Sequence, residues 1–313
     1  MSRIAVTGAA GFVGSNVAEA LVARGDEVVG VDAFIDYYPR PTKEDNLQGL
    51  LADERFTFAE ADLRTAAHEP ILDGVDAIVH EAAMPGLPRS WSDFDLYVGC
   101  NLLAVERLLA AARAVGVRRI LHVSTSSVYG LEAVGDETMP TRPVSPYGVT
   151  KLAAEHLVMA NVDTFGLDAV ITRYFSIYGP RQRPDMAYNR FTESLLDDQA
   201  ITVFGDGLQT RSNTYVDDAV AGTLAALDRG RTGEIYNIGG GEVITVLEAI
   251  EMLGRALDRM PRIEHGPPRP GDQRHTAADT TKARDQLGYR PTVGPRDGLV
   301  RQATWQRDRR ARR

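Results

Sequence analysis

The sequence predicts an α/β protein built on a doubly wound parallel sheet, with a smaller C-terminal lobe. Three observations carry this. An apolar start, Ile4 to Val6, runs into a glycine-spaced turn, Gly8-Ala9-Ala10-Gly11-Phe12-Val13-Gly14. The turn leads into Ser15 to Leu21, which reads as a helix. Strand-like and helix-like stretches then alternate as far as Tyr174, the rhythm of parallel strands joined by crossover helices.

Each element has a local reason. Gly8 permits a tight turn that a side chain would obstruct. Gly11 lets a pyrophosphate approach the backbone, and Gly14 lets the helix lie close to the strand. The N–H groups that open the helix then favour negative charge. Val28-Val29-Gly30-Val31-Asp32 reads as a second strand. It ends in an acid about 20 residues on, where ribose hydroxyls need an acceptor. Together these predict a Rossmann-type dinucleotide site. Asp32 would repel a 2′-phosphate, so NAD is favoured over NADP.

Further along, Phe56 to Leu63 and Ala77 to Ala83 read as strands, Asn101 to Val115 as a helix and Arg119 to Ser124 as a strand. Ser145 to Phe165 reads as a long helix and Ala169 to Tyr174 as a strand. The rest is more broken, with a loop at Gly179 to Asp185, a turn at Gly205-Asp206-Gly207 and a proline-rich stretch at Pro267 to Gly271. The expected division is an NAD-binding domain over 1–174, with about 212–239 returning to it, and a substrate-binding lobe from 175–211 and 240–313.

Composition narrows the class. With 313 residues, 43% hydrophobic and 25% charged, the chain is ordinary for a soluble globular protein. A net charge of -8 argues against nucleic acid as a partner. A single cysteine, Cys100, excludes an internal disulfide and fits a reducing compartment, so the cytoplasm is expected. No apolar run suggests a membrane span, and the chain enters a strand at once, leaving no room for a signal peptide. No metal site is expected. The terminal cluster Arg307, Arg309, Arg310, Arg312 and Arg313 reads as a solvated, frayed tail.

Two stretches carry chemistry. Tyr147 and Lys151 stand four apart in the long helix and share one face. A phenol titrates near pH 10 and is a poor base at neutrality, and a nearby ammonium lowers that value. A phenolate poised in this way removes a proton from a sugar hydroxyl, while the lysine also holds a ribose. Ser124-Thr125-Ser126-Ser127 ends the strand that begins at Arg119, and Thr125 is the hydroxyl expected beside the reacting oxygen.

The glycine turn, Asp32, Asp62-Leu63, His80-x-Ala82-Ala83, Ser124-Thr125-Ser126, Tyr147-x-x-x-Lys151 and Arg173-Tyr174-Phe175 resemble the extended short-chain dehydrogenase/reductase family over nearly the whole chain. Within it the chain looks most like nucleotide-sugar 4-epimerases, especially UDP-glucuronate 4-epimerases. The stretches that carry this are Ser145 to Lys151, Tyr178 to Met186 and Gly205-Asp206-Gly207-x-Gln209-x-Arg211. The resemblance implies NAD held by Gly8, Gly11, Phe12, Val13, Gly14, Asp32, Asp62, Leu63, Ala82, Ala83, Asn101, Ser124, Tyr147, Lys151 and Tyr174. It implies catalysis by Tyr147, Lys151 and Thr125. It places substrate on Thr125, Ser126, Ser127, Ser176, Arg183, Arg211, Arg269 and Asp272, with Arg211 and Arg269 on the diphosphate. A homodimer through the helices that begin near Asn101 and Ser145 is also implied.

The choice within the family rests on the two residues after Thr125. Related 4,6-dehydratases carry an Asp-Glu pair there, and UDP-glucuronate decarboxylases a glutamate at the place of Ser127. Ser126-Ser127 supplies neither acid, which leaves epimerisation. Ser176 stands where UDP-galactose 4-epimerases usually carry asparagine, and Glu81 where leucine is common. A UDP-glucose or UDP-N-acetylhexosamine 4-epimerase, a decarboxylase and an NAD-sensing binding protein stay open as alternatives.

Overall fold

A computed structural model describes residues 1–268 and 273–312. Its large sheet has seven strands in the order Ile235–Ile238, Ala169–Tyr174, Arg119–Thr125, Ala77–His80, Arg3–Thr7, Glu27–Asp32 and Phe56–Glu60. Every neighbouring pair is parallel. Such strands are covered on both faces, and those flanking Arg3–Thr7 are almost wholly buried apart from their ends. One apolar cluster packs the helix Phe12–Arg24 against one face, and another packs Ala104–Val115 and Pro146–Phe165 against the other. The chain runs outward in both directions from Arg3–Thr7. The crevice beyond the carboxyl ends of Arg3–Thr7 and Ala77–His80 is therefore the switch point, where ligands of such sheets bind.

A smaller sheet of Val243–Thr245, Thr210–Ser212, His275–Ala278 and Glu132–Gly135 lies in the second part of the molecule. It draws Glu132–Gly135 from the stretch before Tyr174, a four-residue strand too short and too polar at its ends to stand out in the sequence. The C-terminal arginines correct the expectation of a frayed tail. The helix Pro295–Ala311 contains Arg307, Arg309 and Arg310, Arg309 pairs with Asp45 at 2.8 Å, and Arg310 pairs with Asp197, while Arg313 lies outside the described residues. Those acids lie hundreds of residues and about a hundred residues away in sequence, so nothing local announces them. Among the described residues no helix is long and apolar enough to cross a membrane.

Candidate active site

The glycine turn is built by the absence of side chains. Gly8 sits at φ 72°, and a Cβ there would lie 2.9 Å from the Ala82 nitrogen. Its N–H and that of Ala9 donate to the Val31 carbonyl at 2.7 and 3.2 Å, tying the turn to the next strand. A Cβ on Gly14 would stand 2.2 Å from the Gly8 carbonyl oxygen, so the helix can rest on the turn only as glycine. The helix starts at Phe12, three residues earlier than its composition suggests, with Gly11 as N-cap and no side chain capping its first N–H groups. Those donors face an anion site, and the cradle fits a dinucleotide pyrophosphate.

Asp32 ends its strand as expected. It accepts from the N–H groups of Ala10 at 3.2 Å and Phe34 at 2.8 Å, which hold the carboxylate at the mouth of a cavity of about 80 Å³. Asp62, Leu63, Ala82 and Ala83 line the same cavity. Asp62 is fastened to Arg64 at 2.6 Å, and that hydrogen bond holds its carboxyl below the usual range. Lys43, buried and 3.8 Å from Asp32, also lines it, although no motif marked it. Asn101 lines neither cavity. A π-helical turn over Gly99–Leu103 turns its amide inward, where it bonds Met84 N–H at 2.7 Å, Met84 carbonyl and Thr150. Asn101 therefore fixes the segment after Ala83 from behind.

A larger cleft of about 1420 Å³ opens beside this cavity. The helix Pro146–Phe165 enters it with Ser145 as N-cap, accepting from Gly148 N–H at 3.1 Å, and with proline at its first position. One turn of helix separates Tyr147 from Lys151, and both line the cleft with Phe12, Val13, Ser124, Thr125, Ser126, Ser127, Tyr174, Ser176, Arg183 and Arg211. The sequence-predicted groups thus converge, with Arg269 and Asp272 lying outside the described residues.

The electrostatics differ from the simple Tyr–Lys picture. Burial raises the Tyr147 phenol above its ordinary value, while Thr125 by hydrogen bonding and Arg183 by its charge pull it down. Lys151 donates to the Val123 carbonyl at 2.6 Å instead of turning to the phenol. Burial lowers its pKa to about 8, opposed by Glu155 and Glu81. Beneath them Arg173 and Glu155 form a buried ion pair at 2.7 Å, and Ser124 Oγ donates to the same glutamate at 2.5 Å. Arg183 is held by Asp185 at 2.9 Å and sits over the Tyr37 ring. Arg211 Nη1 donates to its neighbour's carbonyl on Thr210 at 2.8 Å.

Two cleft residues outside the predicted site stand out: Gln273, which no motif marks, and Glu81, noted in the sequence only as standing where leucine is common. Gln273, just before the strand His275–Ala278, donates to the carbonyls of Ser126 at 3.1 Å and Gly130 at 2.8 Å. Glu81 places a carboxyl in the wall beside Tyr174.

A family model, the NAD dependent epimerase/dehydratase family, matches residues 4–239. The chain belongs to that family. It is 41% identical over 308 residues, covering 97% of both chains, to a protein of Bacillus subtilis (strain 168) named "Uncharacterized UDP-glucose epimerase YtcB". It is 35% identical to a dTDP-glucose 4,6-dehydratase of Streptomyces griseus, over 97% of this chain and 94% of that one. Among solved structures it matches a UDP-glucuronic acid 4-epimerase from Bacillus cereus, crystallised with UDP-glucuronic acid and NAD. The TM-score is 0.95 and the identity 41%, covering 98% of this chain and 99% of the other. As a member of an NAD-dependent family, the chain has the cradle its cofactor requires: the unobstructed turn, the uncapped helix start and the carboxylate of Asp32.

Proposed function

We propose that this protein is an NAD-dependent nucleotide-sugar 4-epimerase that interconverts UDP-glucuronate and UDP-galacturonate. The observation that carries the sugar assignment is the wall formed by Thr125, Ser126 and Ser127, a run of neutral hydroxyls lining the cleft with Tyr147.

NAD bound in the cradle supplies a reversible hydride acceptor for the sugar's C4. Tyr147 takes the proton from the C4 hydroxyl and later returns one, with Thr125 beside it to orient that oxygen. Lys151 holds positive charge near the ribose. The oxidised sugar turns over about its diphosphate linkage, so reduction comes on its other face. Arg211, Arg269 and Asp272 are the groups proposed for the diphosphate end, where the planar guanidinium suits phosphate. Oxidised at C4, glucuronate is a β-keto acid that loses carbon dioxide when its carboxylate bond aligns with the ketone π system. Hydroxyls at Thr125, Ser126 and Ser127 hold that carboxylate out of alignment, and Arg183 is a further candidate for reading it. A carboxylate at the place of Ser127 would instead repel it.

The lobe of 175–211 and 240–313 is proposed to take the nucleotide end. A homodimer is proposed through the helices Ala104–Val115 and Pro146–Phe165, supported by the exposed apolar side chains of Leu103, Val115, Val149 and Phe165 on and beside them. The cytoplasm is the compartment proposed, on the free Cys100.

The test is incubation with UDP-glucuronate and NAD, with the products separated by anion exchange and identified by NMR. UDP-galacturonate that disappears in Tyr147→Phe supports the reading. A UDP-pentose with carbon dioxide makes the protein a decarboxylase. Turnover of UDP-glucose to UDP-galactose alone overturns the carboxylate assignment.

A further inference from the structure

Glu81 follows the strand Ala77–His80, is half-buried and lines the cleft with Tyr147 and Lys151. Its Oε1 lies 2.6 Å from Tyr174 Oη, Tyr174 Oη lies 2.5 Å from Thr223 Oγ1, and Thr223 Oγ1 lies 2.7 Å from the Ala219 carbonyl. These three contacts share two hydroxyl protons. All three are hydrogen bonds only when the carboxyl carries a third proton. When it is ionised, Tyr174 donates to it and Thr223 donates to Tyr174. The Ala219 carbonyl then keeps only its bond within the helix Val216–Arg229. Both states are hydrogen-bonded, so neither strands a buried polar group.

The groups that face this carboxyl are few. Lys151 and Tyr147 face it from the helix Pro146–Phe165, and Tyr174 from its strand. Glu155 faces Lys151 from the same helix, His80 and His122 stack on one another and are kept neutral by burial, and the charge of Arg183 acts on Tyr147 from the loop Gly179 to Asp185. Burial pushes Glu81 up to about 7, against the lowering effects of Tyr174 and Lys151. Its charge in turn raises both Tyr147 and Lys151.

We propose that Glu81 is the charge-setting residue of the catalytic pair: held by Tyr174, its carboxyl takes up and releases a proton, and its charge governs the ionisation of Tyr147 and Lys151. It acts through those two side chains and is a positioning residue. The proposal rests on Tyr147 being the base of the epimerase reading.

The experiment compares the wild-type holoenzyme with Glu81→Gln and Glu81→Leu. A centre needing Tyr147 deprotonated and Lys151 protonated has a bell-shaped pH profile of kcat/KM. Removing the negative neighbour lowers both pKa values, so both limbs move to lower pH by about one unit in each variant. Infrared difference titration near neutrality shows a carboxylic-acid carbonyl band in the wild type that is missing from Glu81→Gln. Limbs that stay in place while the profile only drops in height overturn the proposal, as does a titrating band that survives in Glu81→Gln. The infrared titration needs no turnover. A wrong sugar assignment therefore leaves it intact, whereas absence of the band overturns the role of Glu81 alone.

Discussion

Between Gly8 and Gly14 the protein keeps its ligand groove open by omitting side chains, whereas around Tyr147 it lines the groove with ionisable ones. The first region is a steric device. Its tolerances are set by backbone atoms, such as the 2.2 Å that would separate a Gly14 Cβ from the Gly8 carbonyl. The second is an electrostatic device. Tyr147, Lys151 and Glu81 sit within one cleft; the Glu81 charge raises both Tyr147 and Lys151, and Lys151 in turn lowers Glu81. A groove for a large anion needs donors and room, which the backbone provides. A proton-transfer centre needs pKa values brought together, which only side chains from several elements can provide. The two regions should therefore fail in different ways.

The largest expected effect lies in the electrostatic region. Tyr147→Phe should lower kcat by roughly 10²–10⁴-fold while NAD binding measured by calorimetry stays close to wild type. Equal loss of NAD affinity would erase the separation between the two regions. Glu155→Gln leaves Arg173 buried without its counter-charge, since both side chains are almost wholly inaccessible. It should cost about 3–5 kcal/mol in urea unfolding, far more than a surface pair.

The buried histidines of the strands Ala77–His80 and Arg119–Thr125 also predict acid sensitivity. His80 is held neutral by burial, with a pKa of about 3 against an ordinary 6.5, and His122 is lowered in the same way. The unfolded chain takes up protons on both below about pH 6.5 while the folded chain does not. Their contribution is thus fully present above 6.5 and is lost as pH falls from 6.5 towards 3. His122→Phe should flatten that part of the stability profile followed by circular dichroism. An unchanged slope would mean that the buried pair is protonated or hydrated in the folded state.

The steric region sharpens the contrast at smaller amplitude. Gly14→Ala should destabilise the protein by about 1–3 kcal/mol and weaken NAD binding, with the limbs of the pH–rate profile unmoved. Shifted limbs would show that the turn is coupled to Tyr147 and Lys151. Smallest of all, Asp32→Asn should weaken NAD binding by about tenfold, roughly 1.4 kcal/mol, and narrow the preference over NADP. No change in either affinity would mean that the carboxylate serves only the backbone N–H groups of Ala10 and Phe34.

Much of the steric region is legible in the sequence because its determinants are local. Strand, turn, helix and acid follow one another within Arg3 to Asp32, and the strand Ala169–Tyr174 agrees with its expected limits. The helix start at Phe12 is not legible, because its first turn carries no capping side chain to mark it. In the electrostatic region Tyr147 and Lys151 are visible through their helical spacing, and Thr125 through the hydroxyl run. Their ionisation is not. The lysine is bonded to the Val123 carbonyl, 28 residues distant, and the influences on Tyr147 include Arg183 and Glu81, from other elements.

The sequence by itself determined the alternation of elements, the glycine cradle, the acid at the end of the second strand and the helical Tyr–Lys pair. Each depends on neighbours a few residues away. Only the tertiary structure decided that Asn101 braces the segment after Ala83, that Gln273 reaches the Ser126 backbone across 147 residues and that Arg309 and Arg310 are paired. It alone put Glu81 in hydrogen-bond contact with Tyr174, 93 residues away. Dihedral preference and periodicity act along the chain, whereas burial and Coulomb interaction act through space and take their value from whatever the fold brings near.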